Sequence, residues 1–266
     1  MSVRVHRRLA IALVLAALAV AGSARPRAQD AMRGLDLSSP DMTIAEMTRD
    51  QIAAALAAAG ASGADLSGKR LSGLDLSSLN FSNANLRAAR LNHANLTRAK
   101  LDGATLDQVW ALGVDLTDAS LVKASLFGTQ LQGAQLAGAD FSGARVAADM
   151  TGAHLAHARF VGADCSADEK NQSMGLMRAA FKSADLAGAD FSGANLARAD
   201  LRYAKFAGAK FAGASLREAD ASGADLRGAR LEGADFSGLD LDSARIDFSA
   251  APLFGEARNV KKAFAE

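Results

Sequence analysis

Cysteine is almost missing. Cys165 is the only one in 266 residues, which excludes an intramolecular disulfide and leaves packing and backbone pairing to hold the fold. Proline is scarce, with 3 residues, and aromatic residues make up 5% of the chain. An ordinary core draws on more Val, Ile and rings than this. Neither sign of charge dominates, with 30 Lys and Arg against 29 Asp and Glu, which argues against a polyanion-binding surface or an acidic tail. What remains in quantity is Ala, Leu and 24 Gly, the composition of a small-residue repeat.

The first residues read as a secretory signal. Arg4, His6, Arg7 and Arg8 form a basic start, and Leu9 to Ala21 is an uncharged apolar run. That run is too short to cross a hydrocarbon layer of ~30 Å comfortably. Gly22-Ser23-Ala24 suits cleavage after Ala24, with Ala28 as a second candidate and an uncleaved anchor as the alternative. Removing residues 1–24 takes away three Arg and no acid, leaving 27 basic and 29 acidic residues. The expected location is periplasmic or secreted, with no stable membrane insertion once the signal is cleaved. An exported chain with one thiol must bury it to avoid oxidation, and the repeat register places Cys165 inside.

A large apolar residue recurs every five positions from Leu66 through Leu71, Leu76, Phe81 and Leu86 to Leu106. The series skips at Ala111 and resumes from Leu116 to Val146. A second run goes from Phe181 to Ile246, with a small residue at Ala221. Ala is usual two residues before each centre, as at Ala84, Ala94, Ala189 and Ala199, and Gly is common two residues after, as at Gly68, Gly103, Gly133 and Gly188. A period of five matches neither a helix nor a flat strand. It matches a short extended segment with positions i−2 and i inward, followed by a turn in which Gly supplies the positive φ of a type II turn. Four segments make a square coil of about 20 residues, and coils stacked ~4.8 Å apart bury a Leu/Phe axis.

Strings such as ADLSG, ANLRA, ADFSG and ADLRG resemble the pentapeptide-repeat family, whose consensus is A(D/N)LXX. The resemblance implies an all-β, right-handed quadrilateral β-helix over residues 62–250, with about nine coils and a length of ~45 Å from the strand spacing. Thr48-Arg49-Asp50-Gln51 reads as a capping box opening a helix to Ala59 that stops at Gly60, so residues 25–61 carry an N-terminal capping helix. Residues 251–266, with Leu253, Phe254, Val260 and Phe264, are expected to cover the last coil, since open ends invite aggregation.

The pattern breaks once. After Val146 the centres Leu155, Phe160 and Cys165 come one residue early, and Leu176 and Phe181 restore the register. This predicts one coil that is a residue short and a next coil that is a residue long. Both irregular stretches, Ala147 to Thr151 and Ser166 to Ser173, then fall on one face. Close by, Trp110 and Leu112 take outward positions around Ala111, and Phe127 is outward in the next coil. Apolar clusters on an exposed surface mark partner sites. Trp110, Leu112 and Phe127, with Asp168, Glu169 and Lys170 of the bulge, form the candidate partner patch, the alternative being drift of the repeat.

Recognisable reaction chemistry is lacking. His154 and His157 flank Leu155 outward, but no Cys or carboxylate completes a metal site. Asp200, Asp220 and Asp240 should stack once per circuit, as turn hydrogen bonders rather than paired catalytic carboxylates. No nucleophile triad, phosphate loop or nucleotide fingerprint stands out. The expectation is therefore a non-enzymatic scaffold with no cofactor and no metal, binding protein rather than nucleic acid. The resemblance also implies a second possibility, a DNA-mimicking topoisomerase protector. Near-neutral charge, the signal, and Lys205, Lys210, Arg227 and Arg230 among the acidic columns speak against it.

Overall fold

The computed structural model describes residues 36–168 and 177–265. From Ala64 onward the chain winds as a four-sided coil. Asp65 bridges in parallel to Asn85, Arg70 to Arg90, Asp75 to Asn95 and Asn80 to Lys100, so one circuit takes four sides of five residues. We number the faces by their first centres: Leu66 on face one, Leu71 on face two, Leu76 on face three and Phe81 on face four. Face two then carries Leu91, Ala111, Leu131, Met150, Phe181, Leu201, Ala221 and Leu241, all buried, which makes nine turns of coil. Positions i and i−2 are buried almost throughout, as alternation along an extended segment requires, and burying each Leu or Phe contributes ~1.5–3 kcal/mol.

Backbone pairing is the same on each regular side. The Leu66 N–H donates to the Asn85 carbonyl at 2.8 Å, the Gly68 N–H to Arg87 at 2.8 Å, and the Asn85 N–H back to Ala64 at 2.9 Å. Most sides are too short to form a named strand, so the coil is held by single bridges between turns. The corner is closed by a bond from residue i+3 to the carbonyl of residue i, as from Ala84 to Phe81 at 2.9 Å. The Asp or Asn at i−1 accepts from the N–H at i+1, as Asp65 does from Ser67 at 3.1 Å and Asp235 from Ser237 at 2.9 Å. That local bond is why short carboxylates and amides favour this position.

Positive φ at i+2 belongs to the corner rather than to glycine. Asn83, His93, Gln108, His157 and Tyr203 adopt it as well as Gly133 or Gly223. Asn and His tolerate the left-handed region better than most residues. These side chains lean toward the next coil and lie over a glycine there. A Cβ on Gly113 would sit 2.8 Å from the His93 ring, one on Gly188 2.6 Å from His157, and one on Gly223 2.5 Å from Tyr203. Glycine at such a corner is the floor beneath its neighbour's side chain.

The interruption lies at the corner from face one to face two. β1 (Ser125–Gln130) pairs in parallel with β2 (Arg145–Asp149), and the register shifts between Phe127 and Gln130. One residue is missing here, so Gln135 pairs with His154 and Arg145 with Asp164, each one short of a full circuit. In the shortened side Val146, Ala147 and Ala148 are buried consecutively. The next circuit corrects the expectation of a single extra residue. Asp149 pairs with Ala180 and Asp164 with Asn195, each eleven beyond a full circuit. At the described ends of this insertion Asp168 and Met177 form an antiparallel bridge. Residues 169–176, including Leu176, lie outside the described residues. A surplus of one and a surplus of eleven leave the same phase in a period of five, so the period alone cannot tell them apart. Of the second irregular stretch only Ser166 to Asp168 is described, and it leaves the coil after face one in the circuit above the shortened side.

Both ends are covered, in different ways. α1 (Pro40–Thr43) precedes α2 (Arg49–Ala59), where the Thr48 hydroxyl accepts from Gln51 N–H and the Gln51 side chain accepts from Thr48 N–H. Ile52 of α2 is fully buried and belongs to the same core as the first coil, and Leu74 and Leu79, in place of the usual Ala at i−2, pack partly buried against that core. At the other end a 3-10 helix (Phe248–Phe254) and β4 (Phe264–Ala265), parallel to β3 (Arg245–Ile246), close the last circuit. Phe254 is buried 4.7 Å from Phe236, and Val260 packs against the core. Of the four apolar residues of the tail, Leu253 and Phe264 stay exposed. A helix of three residues per turn presents one edge inward, and Phe254 takes it.

Candidate partner-binding site

The expected patch residues fall on two sides of one corner. Trp110 and Leu112 lie on face two and Phe127 lies on face one, within β1. Trp110 bridges Arg90 in the coil below and Gln130 in the coil above. All three are half-buried, so the cluster is less exposed than its outward register predicts. Coils ~4.8 Å apart put a side chain against each flank of an outward residue. Among the described residues the freely exposed large apolar ones are instead Leu37, Ile44, Tyr203, Leu253 and Phe264.

The corner is built from polar bonds as much as apolar ones. Asp107 accepts from the Phe127 N–H at 3.1 Å and from the Ser125 hydroxyl at 2.6 Å. Thr129 replaces the usual inward Ala and donates to the Leu106 carbonyl at 2.7 Å. Beside it Gln132 Nε2 donates to Gln130 Oε1 and to Asp149 at 2.9 Å each, while Gln130 Nε2 donates to the Gly128 carbonyl. Of the bulge, Asp168 N–H donates to the Met177 carbonyl at 2.7 Å, and Glu169 and Lys170 lie outside the described residues. The Met177 methyl would come within 3.2 Å of a Cβ on Gly128, so its side chain reaches the corner at Gly128, next to Phe127. The sequence left Met177, Thr129 and the Gln130–Gln132–Asp149 chain unmarked. The break in register is the one signal that pointed here.

Higher up, the same corner carries Arg178, Arg198, Glu218, Gly238 and Arg258 around a shallow groove of about 400 Å³. Arg198 Nε donates to Glu218 at 2.7 Å, and this guanidinium holds the Glu218 carboxyl below its usual range. Asp200 is the one buried acid on these columns. Burial works to raise its pKa, but hydrogen bonds from Arg202 and the charge of Arg178 bring it below the ordinary value. Asp200, Asp220 and Asp240 stack as expected and accept turn N–H bonds from Arg202, Ser222 and Asp242. Elsewhere opposite charges alternate up a column, as in Asp185, Lys205, Asp225 and Arg245, which leaves no continuous acidic stripe there.

Cys165 is buried, and burial pushes its thiol pKa up, with the Asp164 charge adding to the effect. Such a thiol is a poor nucleophile. His154 and His157 are exposed, and His157 lies over Gly188. Among the described residues no three of His, Cys, Asp and Glu converge as metal ligands, and no helix is long and apolar enough to cross a membrane.

A family model of pentapeptide repeats matches residues 54–91, 80–110, 113–145, 176–211 and 209–246. The gap from 146 to 175 coincides with the interruption. Among solved structures, trypsin-treated QnrB1, a plasmid-mediated fluoroquinolone resistance protein, is 20% identical, with 70% of this chain and 94% of that one covered and a TM-score of 0.51. HetL of the cyanobacterium Nostoc sp. strain PCC 7120, a protein involved in heterocyst differentiation regulation, is 27% identical over 83% of this chain and 94% of its own, with a TM-score of 0.41. Rfr23 of the cyanobacterium Cyanothece 51142 is 18% identical over 76% and 91%, with a TM-score of 0.22. No curated protein matches.

Proposed function

The chain belongs to the pentapeptide-repeat family, whose fold is a right-handed quadrilateral β-helix, and from that premise we propose an exported, non-enzymatic module that binds a protein partner. Members of the family are generally non-enzymatic and bind proteins. The observation that carries this reading is the corner between faces one and two. There one circuit falls a residue short, the next runs eleven over, and the Met177 side chain reaches the corner at Gly128, next to Phe127. A half-exposed Trp flanked in its column by Arg90 and Gln130 has the make-up of an interface anchor. Stiff faces with open, shallow grooves among the described residues suit protein contact better than small-molecule chemistry. Export is supported by the basic start and the apolar run before Gly22-Ser23-Ala24.

The test is an affinity capture from cell-envelope extract, comparing the mature chain with a Trp110→Ala/Phe127→Ala variant. A partner retained by the first and lost by the second, with both circular dichroism spectra unchanged, is the expected result. Equal recovery by both chains removes the corner from consideration.

A further inference from the structure

The segment before α2 already shows how face two holds a peptide. Residues 36–47 carry Asp36, Asp41 and Glu46 and no Lys or Arg, and they cross a part of the face bearing Lys69, Arg70 and Arg90. Asp41 meets Arg70 at 2.7 Å, and Glu46 meets Lys69 at 3.5 Å. The Glu46 N–H donates to the Arg70 carbonyl at 2.9 Å and its carboxylate accepts from the Arg70 N–H at 3.3 Å. The Asn92 amide donates to the Met42 carbonyl at 3.1 Å, and its oxygen accepts from the Leu112 N–H at 2.9 Å. One side chain thus ties the segment to the rung that carries Trp110 and Leu112.

The anchorage is light. Met42 is the one buried side chain of α1, while the segment's own Leu37 and Ile44 are exposed. Partly exposed ion pairs add little and weaken with salt. Beneath the segment, Ser72 and Asn92 occupy outward positions yet are buried, and the Ser72 hydroxyl has no hydrogen-bond partner.

We propose that Asp36–Met47 is a displaceable strap over a peptide-docking site on face two. The ligand that displaces it is an extended segment of the strap's own chemistry, a carboxylate followed by a long aliphatic side chain. The carboxylate would pair with Arg70, the aliphatic chain would take the place of Met42, and the main-chain carbonyl would accept from Asn92. This deepens the proposed function, since the uncovered site runs into Trp110 and Leu112, and it rests on face two being the partner face. A tethered strap competes at a high effective concentration, so the resting protein would keep the site closed to weak ligands.

The experiment uses the full chain and a fluorescein-labelled peptide of residues 36–48, read by anisotropy. Met42→Glu in the chain should loosen the strap and tighten peptide binding at least tenfold over the unaltered chain. Adding Asn92→Asp, which removes the donor but keeps the acceptor for Leu112, should return binding to the starting level. Asp41→Lys supplies a second, surface-only way to loosen the strap, and should act in the same direction with an unchanged circular dichroism spectrum. Peptide binding that neither loosening variant improves, or that Asn92→Asp leaves intact, overturns the strap. Peptide docking that persists in Trp110→Ala supports it whether or not an envelope partner is captured, so the two readings fail separately.

Discussion

Below the interruption the axis of the coil is filled mainly by leucine, and from it upward by stacked phenylalanine. Face four shows the change: Leu101 and Leu121 give way to Phe141, Phe160, Phe191 and Phe211. Their rings lie nearly parallel, with centroids 4.8, 4.8 and 5.3 Å apart, while Phe181 and Phe206 meet the stack edge-on. The coil repeat of ~4.8 Å is itself a good stacking distance, so a column of Phe needs no change in the backbone. Both fillings leave Ala at i−2, as Ala119 beside Leu121 and Ala189 beside Phe191. Where the centre shrinks to Ala111, the inward neighbour grows to Val109. The wall is common to both halves, and the filling is adjusted layer by layer.

Truncation should separate the halves most sharply. Phe191→Ala removes a ring with stacked or edge contacts to Phe160, Phe181, Phe206 and Phe211, and should cost about 4–5 kcal/mol, against about 3 kcal/mol for Leu116→Ala. Coils contact only their neighbours, so the loss need not stay two-state. Urea unfolding followed by hydrogen exchange should show the upper coils opening first in Phe191→Ala and the lower coils retained. Equal loss of protection along the whole rod would show that the halves unfold as one.

Corner substitutions should give a smaller contrast. Gly133→Ala meets nothing nearby, so only its positive φ counts, at about 1 kcal/mol. Gly223→Ala must also displace the Tyr203 ring. Because that ring is exposed and free to swing, the added cost should be about 0.5–1 kcal/mol. Urea midpoints of the two variants decide it, and a Gly223→Ala midpoint at or above that of Gly133→Ala removes the ring from the account.

How much of this was legible in the sequence depended on what a five-residue period can carry. The inward positions, the buried Cys165, the Thr48–Gln51 capping box and the stop at Gly60 follow from local chemistry and agree with the structure. The length of the enlarged circuit did not, because surpluses of one and eleven leave the same phase. Nor did the strap, whose docking depends on Asn92 and Arg70 meeting residues 50 and 29 positions away. Trp110, Leu112 and Phe127 were found by register, but their half-burial arises from the coils above and below, which a linear reading treats as independent.

Acid should produce the mildest difference between the halves. Asp190, Asp200, Asp225, Asp235 and Asp240 of the upper coils, and Asp65 and Asp75 below, have carboxyls held under their ordinary value. Turn hydrogen bonds, chiefly from Ser, Arg or Asn neighbours, hold them there. For a depressed carboxyl the stabilisation is present above the unfolded value of about 4 and is lost as pH falls through the folded one. The melting temperature should therefore be level from neutral pH to about 5 and decline below about 4, with the upper coils losing exchange protection first. Asp235→Asn keeps an acceptor for the Ser237 N–H and should flatten part of that decline. A variant that melts in acid like the parent would show that Asp235 adds nothing to the slope.

The one residue lost and the eleven gained at the interruption come to ten, half a circuit of the coil. Without that slip, Asp200 would continue the row of Asn80, Lys100 and Ser120 on face four. With it, Asp200, Asp220 and Asp240 stand on face two above Arg70, Arg90 and Trp110. A single row of side chains therefore starts with two guanidiniums, carries three carboxylates in its upper part and closes on Arg258. Arg202 and Arg258 moderate the upper end, and Asp41 with Glu46 moderates the lower. Along that one edge the coil thus passes from an arginine paired with acids of the preceding segment to aspartates paired with arginines of the coil itself, so the sense of the ion pair reverses between its two ends.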